Sequence, residues 1–250
     1  IADINLEIRR LNLASYAPLR YVLPHKQEGY DRKYSTQVKG GTGFFRQVDR
    51  EESLIHLLRV NVLKRMESAV SSFTQTVQRQ LDDVEATLKR IEAHADDVEE
   101  IDIADVDIDD PAFEALLVGR KVKVLLGDVD LIRWRQDLIE DRDRLAILLA
   151  AANQVDASRD AKLAKLRDMV ESKCRTPLNA GNRKIIIFTE HRDTLNYLVA
   201  QIRQLLGRDD PVVAIHGGVG REGRRAAQEL FTQDKDTLVL VATDAAGEGL

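Results

Sequence analysis

The stretch LVLVATDAAGEGL, Leu238 to Leu250, decides how the last third of this chain is read. Its first half is an apolar run with no polar alternation, the pattern of a strand buried on both faces of a sheet. Its second half sets a hydroxyl and a carboxylate, Thr243 and Asp244, at the strand's end, followed by Ala245, Ala246, Gly247, Glu248 and Gly249. Ala245, Ala246, Gly247 and Gly249 keep the loop narrow enough for its backbone to lie beside a polyphosphate or a nucleic-acid strand.

Working outward from that strand, the residues after the connector RTPLNAGNRK (Arg175 to Lys184) repeat one unit. KIIIF (Lys184 to Phe188) reads as a buried strand, His191 to Leu206 as a helix and Val212 to Ile215 as a second strand. Arg221 to Thr232 then reads as a helix and Leu238 to Ala242 as the third strand. Alternation of this kind predicts a parallel sheet with helices on its faces, whose ligands lie where the carboxyl ends of the strands meet the loops.

Each predicted strand ends in residues suited to an anion. Thr189 and His191, in FTEHRDT, stand at a strand-to-helix turn where a hydroxyl and backbone N–H groups can meet a phosphate. Thr189 equally fits the N-cap of the helix that follows. The second strand runs into HGGVGREGRR, in which Gly217 and Gly218 after His216 permit close backbone approach or positive φ. Arg221, Arg224 and Arg225 then place three cations at the start of a helix, against its dipole, which implies an anion recruited to them.

Upstream, residues 51 to 91 contain no glycine or proline, and apolar residues recur from Leu54 through Leu58, Val62, Met66, Val70, Phe73, Val77, Leu81, Val84 and Leu88 to Ile91. Steps of three and four make one helical stripe, about 60 Å long if unbroken at ~1.5 Å per residue, which needs a partner helix. Leu131, Trp134, Leu138, Leu145 and Leu148, and a further stretch from Asp160 to Lys173, supply candidates. Trp134 reads as a packing residue. Between the halves, residues 96 to 111 carry nine carboxylates and no base, the composition of a solvated connector. A calcium loop is the sharper reading of the block, but its spacing lacks the central glycine and terminal glutamate of that motif. Residues 1 to 50 show no clear period, and KGGTGFF (Lys39 to Phe45) reads as a flexible turn, because a phosphate loop would continue into Gly-Lys-Ser/Thr.

Composition bounds the rest. The 250 residues are 44% hydrophobic and 32% charged but only 5% aromatic, which favours a helix-rich globular chain. A net charge of −5 argues against coating nucleic acid by bulk electrostatics, though not against a local basic groove. One cysteine, Cys174, allows no internal disulfide and suits a reducing cytoplasm. The longest apolar run, Leu145 to Ala152, is too short for a membrane span. The start at Ile1, with neither an initiator methionine nor a signal segment, leads us to expect a piece of a longer polypeptide.

Residues 184 to 250 resemble the second RecA-like lobe of a superfamily-two helicase. KIIIFTEHRDTLNYL (Lys184 to Leu198) is similar to motif IV, AIHGGVGREGRRAAQELF (Ala214 to Phe231) to the segment after it, and VLVATDAAGEGL (Val239 to Leu250) to motif V. Glu248 gives the Glu-Gly-Leu that SWI/SNF-type double-stranded DNA translocases typically carry, where RNA helicases of the DEAD-box type carry arginine. SRDAKLAKL (Ser158 to Leu166) resembles the Asp-x-Lys-Leu segment before motif IV in those translocases, and LLRVNVLKRMESAV (Leu57 to Val70) a helical segment of their bacterial members.

The resemblance implies an α/β fold, a RecA-like lobe incomplete within motif V, joined to an antiparallel helical insertion over residues 51 to 176, with 1 to 50 apart and the lobe itself at 177 to 250. It implies that Thr189 and Thr243 contact DNA phosphates and that Arg224 supports the loop after His216. The implied DNA-binding set is Thr189, His191, His216, Gly217, Gly218, Arg221, Arg224 and Thr243. Asp244, Gly247, Glu248 and Gly249 would border a cleft for ATP. ATP and magnesium would be held mainly by a first RecA-like lobe, since this chain has no Gly-x-x-x-x-Gly-Lys-Ser/Thr and no Asp-Glu-x-His, and alone it is expected to be inactive. The implied partners are double-stranded DNA, that first lobe, and a protein for the helical arm, in a cytoplasmic, nucleoid-associated setting without membrane. An RNA helicase of the same superfamily, and a helical scaffold with a vestigial RecA-like module, are the alternatives.

Overall fold

A computed structural model describes residues 2–34, 36–37, 44–45, 47–93, 100–102, 122–207 and 212–243. The chain divides into two compact units, residues 1–64 with 76–151, and residues 65–75 with 152–250.

In the first unit, helices α1 (Ala2–Arg10) and α2 (Pro24–Tyr34) flank two short 3₁₀ turns, Ala14–Tyr16 and Pro18–Tyr21. Two-residue strands β1 (Thr36–Gln37) and β2 (Phe44–Phe45) pair antiparallel, and the glycines expected to turn between them lie outside the described residues. The long apolar stripe forms α3 (Gln47–Ser68) and α4 (Val70–Ala93), with Ala69 between them. Leu54, Leu58, Val62, Phe73, Val77, Leu81, Val84, Leu88 and Ile91 are buried, as their spacing predicts. Helix α5 (Leu131–Asn153) supplies Trp134, Leu138, Leu145 and Leu148 to the core. Near its start Arg135 pairs at 3.0 Å with Glu92, near the end of α4, as antiparallel neighbours do.

One expectation fails here. Within the acidic block, Glu100–Asp102 is not connector but strand β3, paired antiparallel with β4 (Lys123–Leu125). The remainder of that block lies outside the described residues.

The N-terminal segment, unreadable by period, is fixed by long-range polar contacts. Leu13 takes a left-handed conformation (φ 53°), which turns the amides of Asn12 and Ala14 toward the same side chain. They donate to Asp141, at 2.6 and 2.8 Å. Trp134 Nε1 donates to the Ala14 carbonyl at 2.9 Å, and its ring stacks on Tyr21. Tyr16 donates to Asp83 at 2.6 Å, and Tyr21 to Asp137 at 2.8 Å. Trp134 is thus a packing residue with its N–H satisfied.

The second unit contains a three-stranded sheet of β5 (Ile185–Thr189), β6 (Val212–Ile215) and β7 (Val239–Thr243), parallel throughout, in the order β5-β7-β6. Helix α6 (Ala161–Arg175) precedes it, α7 (Arg192–Leu206) joins β5 to β6, and α8 (Arg221–Gln233) joins β6 to β7. The chain passes over β7 on the way out and returns to it, and the two connecting helices pack on opposite faces of the sheet. Leu195, Val199 and Ile202 of α7, with Val170 of α6, cover Val239 and Val241. Ala227 and Phe231 of α8 cover Leu240 and Ala242. All five residues of β7 are buried, as the apolar run beginning at Leu238 requires of a central strand.

β5 is not the fully buried strand its sequence suggests. It lies at the edge of the described sheet, and on the α8 side Ile186 and Phe188 remain 48% and 56% exposed. α8 covers β6 and β7 only, so half of an all-apolar strand has no cover among the described residues.

Candidate functional site

Because the three strands are parallel, their carboxyl ends share one edge. Thr189 pairs in register with Thr243, and Ile215 with Ala242, so His216 follows its strand at the same level. Three of the residues singled out from the sequence, Thr189, His216 and Thr243, therefore form a row across the sheet. Thr189 and His216 are half-buried, whereas Thr243 is buried. Asp244, Gly247, Glu248 and Gly249 lie outside the described residues.

The turn after β5 corrects two readings. The N-cap residue of α7 is His191, in extended conformation and without a side-chain cap bond, so Thr189 stands two residues before the cap and does not fill it. His191 itself is 1% exposed, a packing residue rather than a surface contact. Its neighbour Arg192, passed over in the sequence, is exposed. The Arg192 guanidinium reaches to 3.5 Å from where a Cβ on Gly218 would stand, so it lies against the second loop of the row.

That second loop is tied to itself. His216 Nδ1 accepts the Gly218 N–H at 3.1 Å, which leaves the proton of a neutral imidazole on Nε2. A side chain at Gly218 would press on the same ring at 3.1 and 3.2 Å, so the glycine serves close approach. Neither Gly217 nor Gly218 has positive φ; the described glycines that do are Gly181 and Gly207. Arg224 reaches back from α8, donating to the carbonyls of Val219 at 2.7 Å and Gly217 at 3.3 Å. It holds the loop from below. Of the other two cations, Arg225 pairs with Glu229 one turn on, and Arg221 is exposed at the start of α8.

The row is braced from behind by residues the sequence gave no reason to join. Arg65, in the last turn of α3, is 1% exposed and donates to Asp193 of α7 at 2.6 Å, across 128 residues of chain. The hydroxyls of Ser68 and Thr194 share a hydrogen bond of 2.9 Å. Lys162 donates to the carbonyls of Glu67 and Ser68, where its ammonium meets the negative end of α3. Asp160 caps α6 by accepting from the Leu163 amide at 2.9 Å, and also accepts from Tyr197 of α7. The Asp-x-Lys-Leu segment is thus a joint between helices: Asp160 holds α6 and α7, Lys162 holds the end of α3, and Leu163 is buried.

Among the described residues no three His, Cys, Asp or Glu side chains gather to hold a metal ion, and no helix is long and apolar enough to cross a membrane. Residues 161–250 match the family model of the helicase conserved C-terminal domain. That match begins at the first residue of α6 and takes in the whole sheet. No curated protein and no solved structure gave a match.

Proposed function

We propose that the chain is the second RecA-like lobe, with its helical insertion, of an ATP-dependent double-stranded DNA translocase of SWI/SNF type. The observation that carries this reading is the row of Thr189, His216 and Thr243 at one edge of a parallel sheet, inside the segment that matches the helicase C-terminal domain. The Glu248-Gly249-Leu250 sequence supports the SWI/SNF type over the RNA helicases.

In this reading the edge tracks one strand through its phosphates. The Thr189 hydroxyl donates to a phosphate oxygen, while Arg221 and Arg192 supply charge without reading bases. Arg224 and His216 keep Gly217 and Gly218 folded so that their exposed backbone faces the strand. Thr243, buried, comes immediately before Asp244 in the sequence, and Asp244 and the glycines after it are proposed to border the ATP cleft. His191 is withdrawn from the contact set because of its burial. The ion that accompanies ATP is assigned to the first lobe, because the Asp-Glu-x-His that would hold it is not in this sequence. The chain's own part is to bind the strand, position the loops and close on nucleotide held elsewhere. The helical arm is free in this scheme to engage a protein partner, in a cytoplasmic, nucleoid-associated setting.

The test is ATP turnover by a polypeptide carrying both lobes, with duplex DNA and with RNA. Stimulation by duplex DNA is expected. Stimulation by RNA alone would place the protein among the RNA helicases, and none by either would leave the scaffold reading.

A further inference from the structure

We propose that Arg65 is a positioning residue for the turn from Thr189 to Asp193, so that the end of α3 sets how well the strand-tip row receives a phosphate backbone. This rests on the reading of the carboxyl edge given above. α7 starts at His191 without a side-chain cap bond from that residue, the usual means of fixing where a helix begins. What fixes it comes from far along the chain. Asp193, in the first turn of α7 and four residues beyond Thr189, is held at 2.6 Å by Arg65. Thr194 is held by Ser68 at 2.9 Å, and Tyr197, one turn on, bonds to Asp160.

The choice of an arginine matters. An ion pair with a buried arginine and a carboxylate only 15% exposed is a poor source of stability compared with apolar packing, and its best-attested use is to fix one arrangement among several. The guanidinium is a rigid fork and the carboxylate sits where the helix dipole also favours it, so direction and place are set together. Just before this anchored carboxylate the chain presents half-buried Thr189 and exposed Glu190 and Arg192. Shifting Asp193 shifts all three.

Arg65→Met, Arg65→Lys and Asp193→Asn, made in the complete 250-residue chain, separate positioning from mere stability. Three quantities are read: affinity for a fluorescent duplex DNA at several salt concentrations, melting temperature, and amide exchange over residues 190–195 without DNA. Positioning predicts that Arg65→Met and Asp193→Asn weaken duplex binding by about tenfold, with Arg65→Lys between them and wild type. The slope of affinity against salt stays unchanged, because no phosphate contact is removed. Exchange over 190–195 quickens. A lower melting temperature with unaltered affinity and unaltered exchange in that turn would overturn the proposal, as would a salt slope reduced by about one, which would make Arg65 a direct contact. Should Arg65→Met fail to fold, the near-isosteric Asp193→Asn carries the same test. Should wild type not bind duplex at all, the edge reading fails by itself; unchanged exchange in the turn then overturns the positioning role, and faster exchange supports it.

Discussion

Thr189 and Thr243 face each other across the register of two parallel strands, each the last residue of its strand. One hydroxyl is half-buried and the other buried, so the two do not serve alike. Thr189→Val is expected to weaken duplex binding with little effect on melting temperature, whereas Thr243→Val, at a buried position, is expected to change melting temperature more than binding. Titration of a labelled duplex against each variant checks this, and equal losses from both would contradict the difference in burial.

Arg221 is the exposed cation at the start of α8. If it meets a phosphate, Arg221→Ala lowers the slope of log affinity against log salt by about one while affecting all duplex sequences alike. A loss confined to one sequence would mean base readout instead.

Arg224 donates into the loop rather than outward. Arg224→Ala leaves the Gly217 and Val219 carbonyls without that donor, so amide exchange at Gly218 and Val219 should rise before any change in α7 is seen. Duplex affinity should fall, and the salt slope should stay near that of wild type. A slope change equal to that of Arg221→Ala would make Arg224 a direct contact.

Asp141 gives the helical unit a pH dependence. Burial pushes its carboxyl up to about 6, against the lowering effect of the amides of Ala14 and Asn12. The folded state therefore holds this proton more tightly than the unfolded chain. Its stabilising contribution is complete below the ordinary carboxylate range near 4 and is lost as pH rises through about 6. Asp141→Asn should flatten the melting temperature between pH 4.5 and 7 relative to wild type. It should also lower it throughout, since an amide offers only one acceptor to two N–H donors.

Trp134 is 1% exposed, with its N–H on the Ala14 carbonyl. Trp134→Phe removes that donor and some volume, at a cost of about 1–3 kcal/mol. Leu138→Ala, at a fully buried position, should cost about 2–5 kcal/mol. Denaturant unfolding measures both, and a cost under half a kcal/mol for Leu138→Ala would place that side chain outside a packed core.

The fold was legible where one period governs a whole element. Leu54 to Ile91 declared a helical stripe, and the strands near 185, 212 and 239 emerged within a residue or so of their positions, because each alternates with a helix of clear amphipathic face. Legibility stopped where geometry depends on distant partners. The turn at Leu13 exists because Asp141 receives the amides on either side of it. β3 sits in an acidic block that reads as solvated, since the strand it pairs with begins about twenty residues later. An all-apolar run such as Ile185 to Phe188 cannot say whether it lies at a sheet's centre or edge. Of the site, the row of strand ends was visible through Thr189, His216 and Thr243. Arg192 and Arg65 were not: one is an ordinary basic residue on a helix, the other one of many arginines until Asp193 is seen beside it.

The central claim is that the carboxyl edge of this sheet, and not its opposite edge, meets a duplex. Photo-crosslinking tests it most directly, with a photoreactive side chain replacing Arg221 at the carboxyl edge and, in a separate chain, Asp236 in the turn before β7 at the other edge. Adducts to duplex DNA from position 221, with few or none from 236, are the expected result. Adducts from 236 alone, or from neither position under conditions where the chain binds duplex, would contradict it.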